Sequence, residues 1–332
     1  MPADFSARRW ERARRRVIAA AFLRVPFYRD QWAAAGRALE EPEPTPSAAL
    51  ADQLHRLCPF ARPFDPSREP SPWIGDGRDL RDALALACAP RRAPVLEVRP
   101  AVLDRRTLAG GVLPWSGGRR YGVLLAPGAR VVDEARRRAL DAAALGLAAE
   151  AGRAIVVGER AALDAVLPRL AGVRVHVVER VSLGQAVRAA RAAAATPTAR
   201  ARVAGRVSPG HAVAADPAEH DLTATGTLMG EVTTAGQAAA AGTLMGEVGA
   251  VVAHDPHLGY LAAVVAGCGQ VHLLWRHVHA RPFEGPDGDR TVGLTALRRR
   301  RPALVNVVPG DAGSLTTALC PAHGTPIVTP PA

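Results

Sequence analysis

Short runs of β-branched and aliphatic residues alternate with helical segments across the middle of this sequence, and this alternation is its strongest constraint on the fold. The runs are GVLLA at 122–126, AIVVG at 154–158 and VRVHVVE at 173–179, and the helical segments are 133–151, 159–171 and 182–195. Strands that alternate with helices of this length predict a parallel sheet covered by helices. In such sheets, ligands bind beyond the carboxyl ends of the strands.

The sequence on either side of this region has a different pattern of residues. Apolar residues recur at helical spacing from Ser6 to Leu23, and a proline-rich stretch follows at 37–72. After about residue 205, TGTLMGEV and AGTLMGEV form a direct repeat, and three β-strand stretches follow: QVHLLWRHVHARPF, TVGLTAL and PALVNVV. We therefore expect an N-terminal helical segment at 1–64, an α/β region at 65–205, and a glycine-rich repeat with a β-rich subdomain at 206–332.

Lysine is absent from the 332 residues, so arginine supplies all 42 basic side chains. This absence excludes mechanisms that need a lysine, such as Schiff-base catalysis and the phosphate-loop NTPases. The formal charge of +11 is spread over helical faces that also carry acids, without aromatic interleaving, so we expect no nucleic-acid partner. The sequence has no apolar stretch of about 18 residues and no signal-peptide pattern, so we expect a cytoplasmic protein without a membrane partner.

Both ends of the sequence resemble a known enzyme branch. Near the N-terminus the resemblance rests on two segments, RRVIAAAFLRVPFYRDQWAAAG and LCPFARPFD. Near the C-terminus it rests on the order of LTAL, PALVNVVPGD and a Cys-Pro cluster. These segments are similar to the phenylacetate-coenzyme A ligase branch of the adenylate-forming enzymes. The resemblance implies the α/β fold of the N-terminal domain of those enzymes. It also implies activation of a small carboxylic acid by ATP and Mg in secondary metabolism, with acyl transfer to a thiol or amine, for example on coenzyme A or a carrier protein.

The resemblance also implies nucleotide-binding residues. Asp311, which closes LVNVVPGD, corresponds to the aspartate that holds the ribose hydroxyls, a task that suits a carboxylate with two acceptor oxygens. The alternative is a turn residue after Pro309 and Gly310. The segment that contacts adenine and magnesium maps to either copy of the repeat, which gives Glu247 or Glu231, and the alternative there is an exposed loop acid.

The phosphate loop of the family is best matched by SPWIGDG at 71–77, which keeps Ser71, Gly75 and Gly77. Asp76 in this loop is unfavourable beside a triphosphate, so an ordinary turn here and a loop at 115–119 are alternatives. The family also has a C-terminal lid with a catalytic lysine, and the sequence ends where that lid would begin. One alternative is therefore that a partner protein supplies the lid. Another is that this protein is a repurposed, non-catalytic relative that binds or scaffolds a biosynthetic enzyme or carrier protein.

Two Cys/His pairs are candidates for a metal site. Cys268 and His272 lie in GCGQVHLLW, and Cys320 and His323 lie in CPAHG, so each pair can reach one ion from a single turn or hairpin. Four such ligands saturate zinc, which predicts a structural zinc site. The alternative is a pair of small buried cysteines with histidines nearby by chance. His277 and His279 alternate onto one strand face, and we expect them to face solvent or a pocket.

Overall fold

The computed structural model describes residues 5–59, 77–87, 93–102, 112–114, 120–130, 133–195, 249–284, 290–298, 302–311 and 313–331. Within these ranges the chain has a mixed α/β architecture, and its strands form one sheet of ten strands and one of four. The predicted α/β class and the parallel strands of the middle region are confirmed.

The N-terminal region forms two consecutive helices, α1 (Ala7–Arg24) and α2 (Pro26–Ala34). The Ser6 hydroxyl accepts from the backbone N–H of Arg9 and caps α1, and Pro26 at the first turn of α2 separates the two helices. Helix α1 buries Ile18, Ala21 and Phe22 in the core, and Trp10 and Val17 pack partly buried against the same core. A short strand, β1 (Thr45–Pro46), and a 3₁₀ segment at Ser47–Gln53 follow.

The large sheet has the strand order β13-β14-β9-β8-β7-β6-β5-β2-β4-β3. Its strands are β2 (Val95–Ala101), β3 (Val112–Pro114), β4 (Arg120–Arg130), β5 (Arg153–Gly158), β6 (Arg174–Val181), β7 (Ala250–Asp255), β8 (Gly259–Val265), β9 (Gln270–Leu273), β13 (Thr316–Leu319) and β14 (Pro326–Thr329). The pairs β4/β2, β2/β5, β5/β6 and β6/β7 are parallel, and the remaining pairs are antiparallel.

In the described ranges, four helices pack beside the parallel strands: α3 (Gly77–Leu86), α4 (Glu134–Ala151), α5 (Arg160–Val166) and α6 (Leu183–Ala195). Side chains of α3 share a core with one face of the sheet, which Leu140 of α4 also joins, and the remaining buried apolar side chains of α4 share a core with α5 on the other face. Both faces of β5 are therefore covered, which explains why its run from Ala154 to Gly158 is buried throughout. Asp133 caps the start of α4, and Gly152, with a φ of 61°, ends it.

The β-rich end of the chain contributes to both sheets. Strands β7, β8, β9, β13 and β14 continue the large sheet, whereas β10 (Val278–Glu284), β11 (Arg290–Ala296) and β12 (Val307–Val308) form the second sheet with β1. The predicted strand at 302–308 shortens to the two residues of β12. The reason is that Ala303 N–H donates to the Leu57 carbonyl and Val305 N–H donates to the Tyr28 hydroxyl. These two N–H groups therefore do not pair with a neighbouring strand.

Candidate metal centre

Two neighbouring hairpins bring the four predicted metal ligands together. Cys268 lies in the turn between β8 and β9, and His272 lies on β9 itself. Cys320 follows β13 directly, and His323 lies in the turn that leads to β14. Because β14 pairs antiparallel with β9, Ile327 lies opposite His272, and the ring of His323 lies 5.0 Å from the ring of His272.

Both turns depend on glycine and on backbone hydrogen bonds. Gly269 and Gly324 have φ values of 67° and 62°, a conformation that favours glycine. The N–H of Gly324 donates to the Cys320 carbonyl at 2.7 Å, and the Cys320 N–H donates to the Thr325 carbonyl at 2.9 Å. These bonds hold the cysteine and histidine of the CPAHG turn on one side of the loop.

The geometry of the cluster fits a single ion. One ligand atom from each of the four residues lies within 4.8 Å of all the others. In a tetrahedral zinc site, with Zn–S near 2.3 Å and Zn–N near 2.0–2.1 Å, ligand atoms lie roughly 3.3–3.8 Å apart. His272 Nε2 lies 3.0 Å from Cys268 Sγ, and His323 Nδ1 lies 3.4 Å from Cys320 Sγ. The four side chains can therefore hold a metal ion such as zinc with small adjustments.

The remaining nitrogen of His272 has a defined partner. Its Nδ1 lies 2.8 Å from the Thr325 hydroxyl oxygen, which can accept the ring proton and so leave Nε2 as the unprotonated nitrogen that faces the sulfur. A histidine ligand oriented in this way by a second side chain is typical of metal sites. Thr325 was not predicted from the sequence as part of the site.

Burial sets the protonation of this cluster. It lowers the pKa of His272 to about 4, with a further contribution from His323, so the imidazole is neutral at physiological pH, as a ligand must be. Burial also raises the pKa of the Cys268 thiol, and the adjacent Cys320 acts in the same direction. A bound cation reverses this preference because it stabilises the thiolates, so metal binding releases protons.

Asp311 lies apart from this cluster, in a turn after β12. Its carboxylate accepts a hydrogen bond from the Ser182 hydroxyl and lies 3.5 Å from the Arg188 guanidinium. Its backbone passes so close to Gly184 that a Cβ at that position would overlap the Asp311 carbonyl. Since Ser182 follows β6 and precedes α6, Asp311 lies at the carboxyl end of a parallel strand.

The structure describes only one of the other predicted nucleotide-binding residues. Ser71, Gly75, Glu231 and Glu247 lie outside the described residues. Gly77 is the first residue of α3, so the predicted phosphate loop leads directly into the amino end of a helix.

A buried polar network on the large sheet was missed in the sequence. The Glu97 carboxylate accepts from the phenol groups of Tyr121 and Tyr260, the latter at 2.5 Å. Arg99 Nε donates to it at 3.1 Å and Arg180 Nη1 at 3.4 Å. All five side chains are buried, and burial together with Glu97 raises the pKa of both tyrosines well above the usual range. The available signal was the presence of charged residues inside the strand segments LEVRP and VVERV.

His277 and His279 are buried, at 7% and 5% exposure, so the prediction of a solvent-facing position is wrong. His277 lies between Asp79 and Asp82 of α3, and His279 lies beside Glu11 of α1 under the ring of Trp10. Each histidine therefore joins a helix to the second sheet. The acids that hold them are distant in sequence, so only the spacing of Asp79 and Asp82 on one helix face was visible beforehand.

Comparison with models of known protein families gives no match for this chain, and comparison with curated proteins gives none either. No helix in the described part of the chain is both long and apolar enough to cross a membrane.

Proposed function

We propose that this protein is a zinc-bearing relative of the adenylate-forming enzymes. In this proposal it binds ATP at the carboxyl edge of its parallel strands and activates a small carboxylic acid as an acyl adenylate. The acyl group then passes to a thiol or amine, such as coenzyme A or a carrier protein. A structural zinc ion held by Cys268, His272, Cys320 and His323 ties the two hairpins together.

The position of Asp311 carries this proposal. A carboxylate beyond the end of β6 is where open α/β sheets bind their ligands, and the side chain of Asp311 is 35% exposed. Its two oxygens suit the adjacent hydroxyls of a ribose. Ser182 and Arg188 both contact Oδ2 of Asp311 and so fix the orientation of the carboxylate.

A second observation supports a phosphate site near α3. The predicted loop at 71–77 precedes the amino end of this helix, where free backbone N–H groups and the helix dipole favour anions. Asp79 in the first turn would oppose a phosphate, but it lies 2.7 Å from His277. The contacts with Asp79 and Asp82 raise the pKa of His277 despite its burial, which favours the protonated ring, and that ring would compensate this acid.

The absence of lysine leaves arginine and backbone amides to stabilise phosphate charge. Arg188 is the arginine that lies beside Asp311, and its side chain is 65% exposed. Magnesium would be held by phosphate oxygens together with Glu247 or Glu231. Four protein ligands leave the zinc ion without an open position, so its contribution is to folding.

Nucleotide binding is the first test. Calorimetry with AMP and with ATP and magnesium should give saturable binding to the wild-type protein and at least about tenfold weaker binding to Asp311→Asn. Asp164→Asn is a matched control, since Asp164 is an exposed acid on α5 that pairs with Arg160. ATP-pyrophosphate exchange over a panel of carboxylic acids then tests activation. The absence of binding at millimolar nucleotide would refute the proposal.

The zinc ion is tested separately. Elemental analysis of the purified protein should give about one zinc per chain, and Cys320→Ser should lose it. Cys58→Ser is the control, because Cys58 is also buried and lies outside the cluster. A wild-type protein with far less than one metal per chain would contradict a zinc site.

A second candidate function is that of a non-catalytic relative that binds or scaffolds a biosynthetic enzyme or carrier protein. The observation that favours it is the pairing of the Asp311 carboxylate with Ser182 and Arg188, which a ribose must compete with. AMP binding without pyrophosphate exchange for any acid would support this candidate over the ligase.

A further inference from the structure

The outer face of α1 carries a concentration of arginines. Arg8, Arg9, Arg12, Arg15 and Arg16 are exposed, and their spacing confines them to about a third of the helix circumference. Among the described residues, none forms an ion pair with Arg8, Arg12 or Arg16, whereas Arg15 contacts Glu11 at 3.1 Å. This face therefore presents exposed guanidinium groups that can form new contacts.

The same arc continues into apolar residues. Ala19 and Leu23 follow the arginines along the helix and are exposed, and Leu23 is 67% exposed, the highest value among the large hydrophobic side chains of the described residues. From Arg8 to Leu23 the face is roughly 22 Å long, about the length of four helical turns. These dimensions match a partner helix better than a small molecule.

A groove lies beside this face, between α1 and β10. Its volume is about 760 Å³, and its walls include Arg15, Ala19 and Pro282. Acids also line it, among them Glu40 and Glu41, and Arg281 pairs with Glu41. The surface thus changes from basic on the helix to mixed charge in the groove.

We propose that the outer face of α1 and this groove bind a protein that presents an amphipathic helix. The helix would carry acidic residues opposite the arginines, an apolar side chain against Leu23 and a basic side chain toward Glu40. Alternating charge favours this partner, because a protein surface can complement both signs. The inference goes beyond nucleotide binding and does not depend on it.

Continuous polyanions fit this surface less well. A nucleic acid or an anionic membrane laid across α1 would also meet the carboxylates of the groove. The nearby aromatic rings have internal roles, since Trp10 stacks on His279 with ring centroids 4.0 Å apart and donates from Nε1 to the Val278 carbonyl. The apolar stripe of α1 is buried in the core, so insertion into a bilayer would require α1 to detach.

Fluorescence anisotropy with a synthetic helical peptide of about 18 residues tests the proposal. The peptide carries glutamates along one face, one leucine and one flanking lysine, and a second peptide of equal composition distributes the glutamates around the helix. Arg8→Glu/Arg12→Glu/Arg16→Glu should weaken binding of the first peptide by about tenfold or more. Arg136→Glu/Arg138→Glu/Arg174→Glu is the matched control, because it makes the same charge change at exposed arginines elsewhere.

A charge-swapped peptide, with lysines in place of the glutamates, should bind the α1 variant more tightly than the wild type, which distinguishes lost contacts from misfolding. Equal binding of the two original peptides would overturn the proposal, and so would equal weakening by the two triple variants. Single-stranded DNA and phosphatidylserine vesicles serve as competing probes. If either loses more affinity than the peptide on reversal of the α1 charges, the surface binds that polyanion and the proposal is wrong.

Discussion

His277 and His279 are two residues apart where β10 begins, and the protein shifts their pKa values in opposite directions. Burial disfavours the charged form of both rings. At His277 the carboxylates of Asp79 and Asp82, at 2.7 and 2.6 Å, outweigh burial and raise the pKa. At His279 burial and the charge of Arg14 lower the pKa to about 4. The two contacts therefore depend on pH with opposite sign.

His277→Gln should destabilise the protein most at mildly acidic pH. A raised pKa in the folded state stabilises the protein fully below the ordinary value of 6.5, and this contribution is lost as pH rises through the folded-state pKa. Charge-assisted contacts of this kind contribute about 1.5–3 kcal/mol. Urea unfolding from pH 5 to 9 should give a difference from the wild type that shrinks as pH rises. His55→Gln, at an exposed position, is the control, and a difference that is constant with pH would contradict the assignment.

His279→Gln should have the opposite pH dependence. A folded-state pKa of about 4 means that the neutral ring stabilises the protein fully above pH 6.5, and that this stabilisation is lost as pH falls toward 4. The variant should therefore lose less stability than the wild type between pH 6.5 and 4.5. Both proteins are compared with chelator present, so that metal release at low pH does not contribute. Parallel stability curves over this range would rule out titration of His279.

Thr325→Val should weaken zinc binding without changing the fold. The hydroxyl of Thr325 lies 2.8 Å from Nδ1 of His272 and orients the ring, and loss of such a partner typically reduces metal affinity by about 10- to 100-fold. The backbone carbonyl of Thr325, which accepts from Cys320, is unaffected by the substitution. Competition with a chromophoric chelator measures the affinity. Thr329→Val, at the other end of the strand that follows Thr325, is the control, and equal affinities for the two variants would exclude a role for the hydroxyl.

The strands, helices and Cys/His pairs that the sequence predicts are features that depend on local sequence patterns. The strands at 122–126, 154–158 and 173–179 and the helices after them lie where periodicity indicates, because each segment buries its apolar residues in the way that its own spacing requires. The Cys/His pairs were visible because each pair lies within one turn or hairpin. That the pairs meet depends on the pairing of β9 with β14, and strand pairing is a non-local property.

Local sequence patterns could not predict the buried polar contacts. Glu97, Arg180 and Tyr260 come from three strands that are far apart in the chain, and only the strand order brings them together. The same applies to His277, whose burial depends on the docking of α3. A charged residue within an apolar run indicates a buried partner, but it does not identify that partner.

Glu97→Gln should destabilise the protein far more than Glu159→Gln. Both carboxylates contact Arg180 at 3.4 Å, but the side chain of Glu97 is 2% exposed and that of Glu159 is 68% exposed. Removal of the Glu97 charge leaves two buried guanidiniums, those of Arg99 and Arg180, without their shared counter-ion. Breaking a buried pair in this way costs about 3–5 kcal/mol, whereas an exposed pair contributes roughly 0–1 kcal/mol.

Urea unfolding at neutral pH measures the free energy of unfolding of Glu97→Gln and of Glu159→Gln, which carry the same chemical change. The two variants lose the same charge and the same contact partner, so the difference between them reports the burial of the pair. Tyr260→Phe separates the hydrogen bond from the charge, since it removes the phenol that donates to Glu97 at 2.5 Å and keeps the carboxylate. We expect an intermediate loss of about 1–3 kcal/mol for this variant. Similar, small losses for Glu97→Gln and Glu159→Gln would mean that water enters the network and screens its charges.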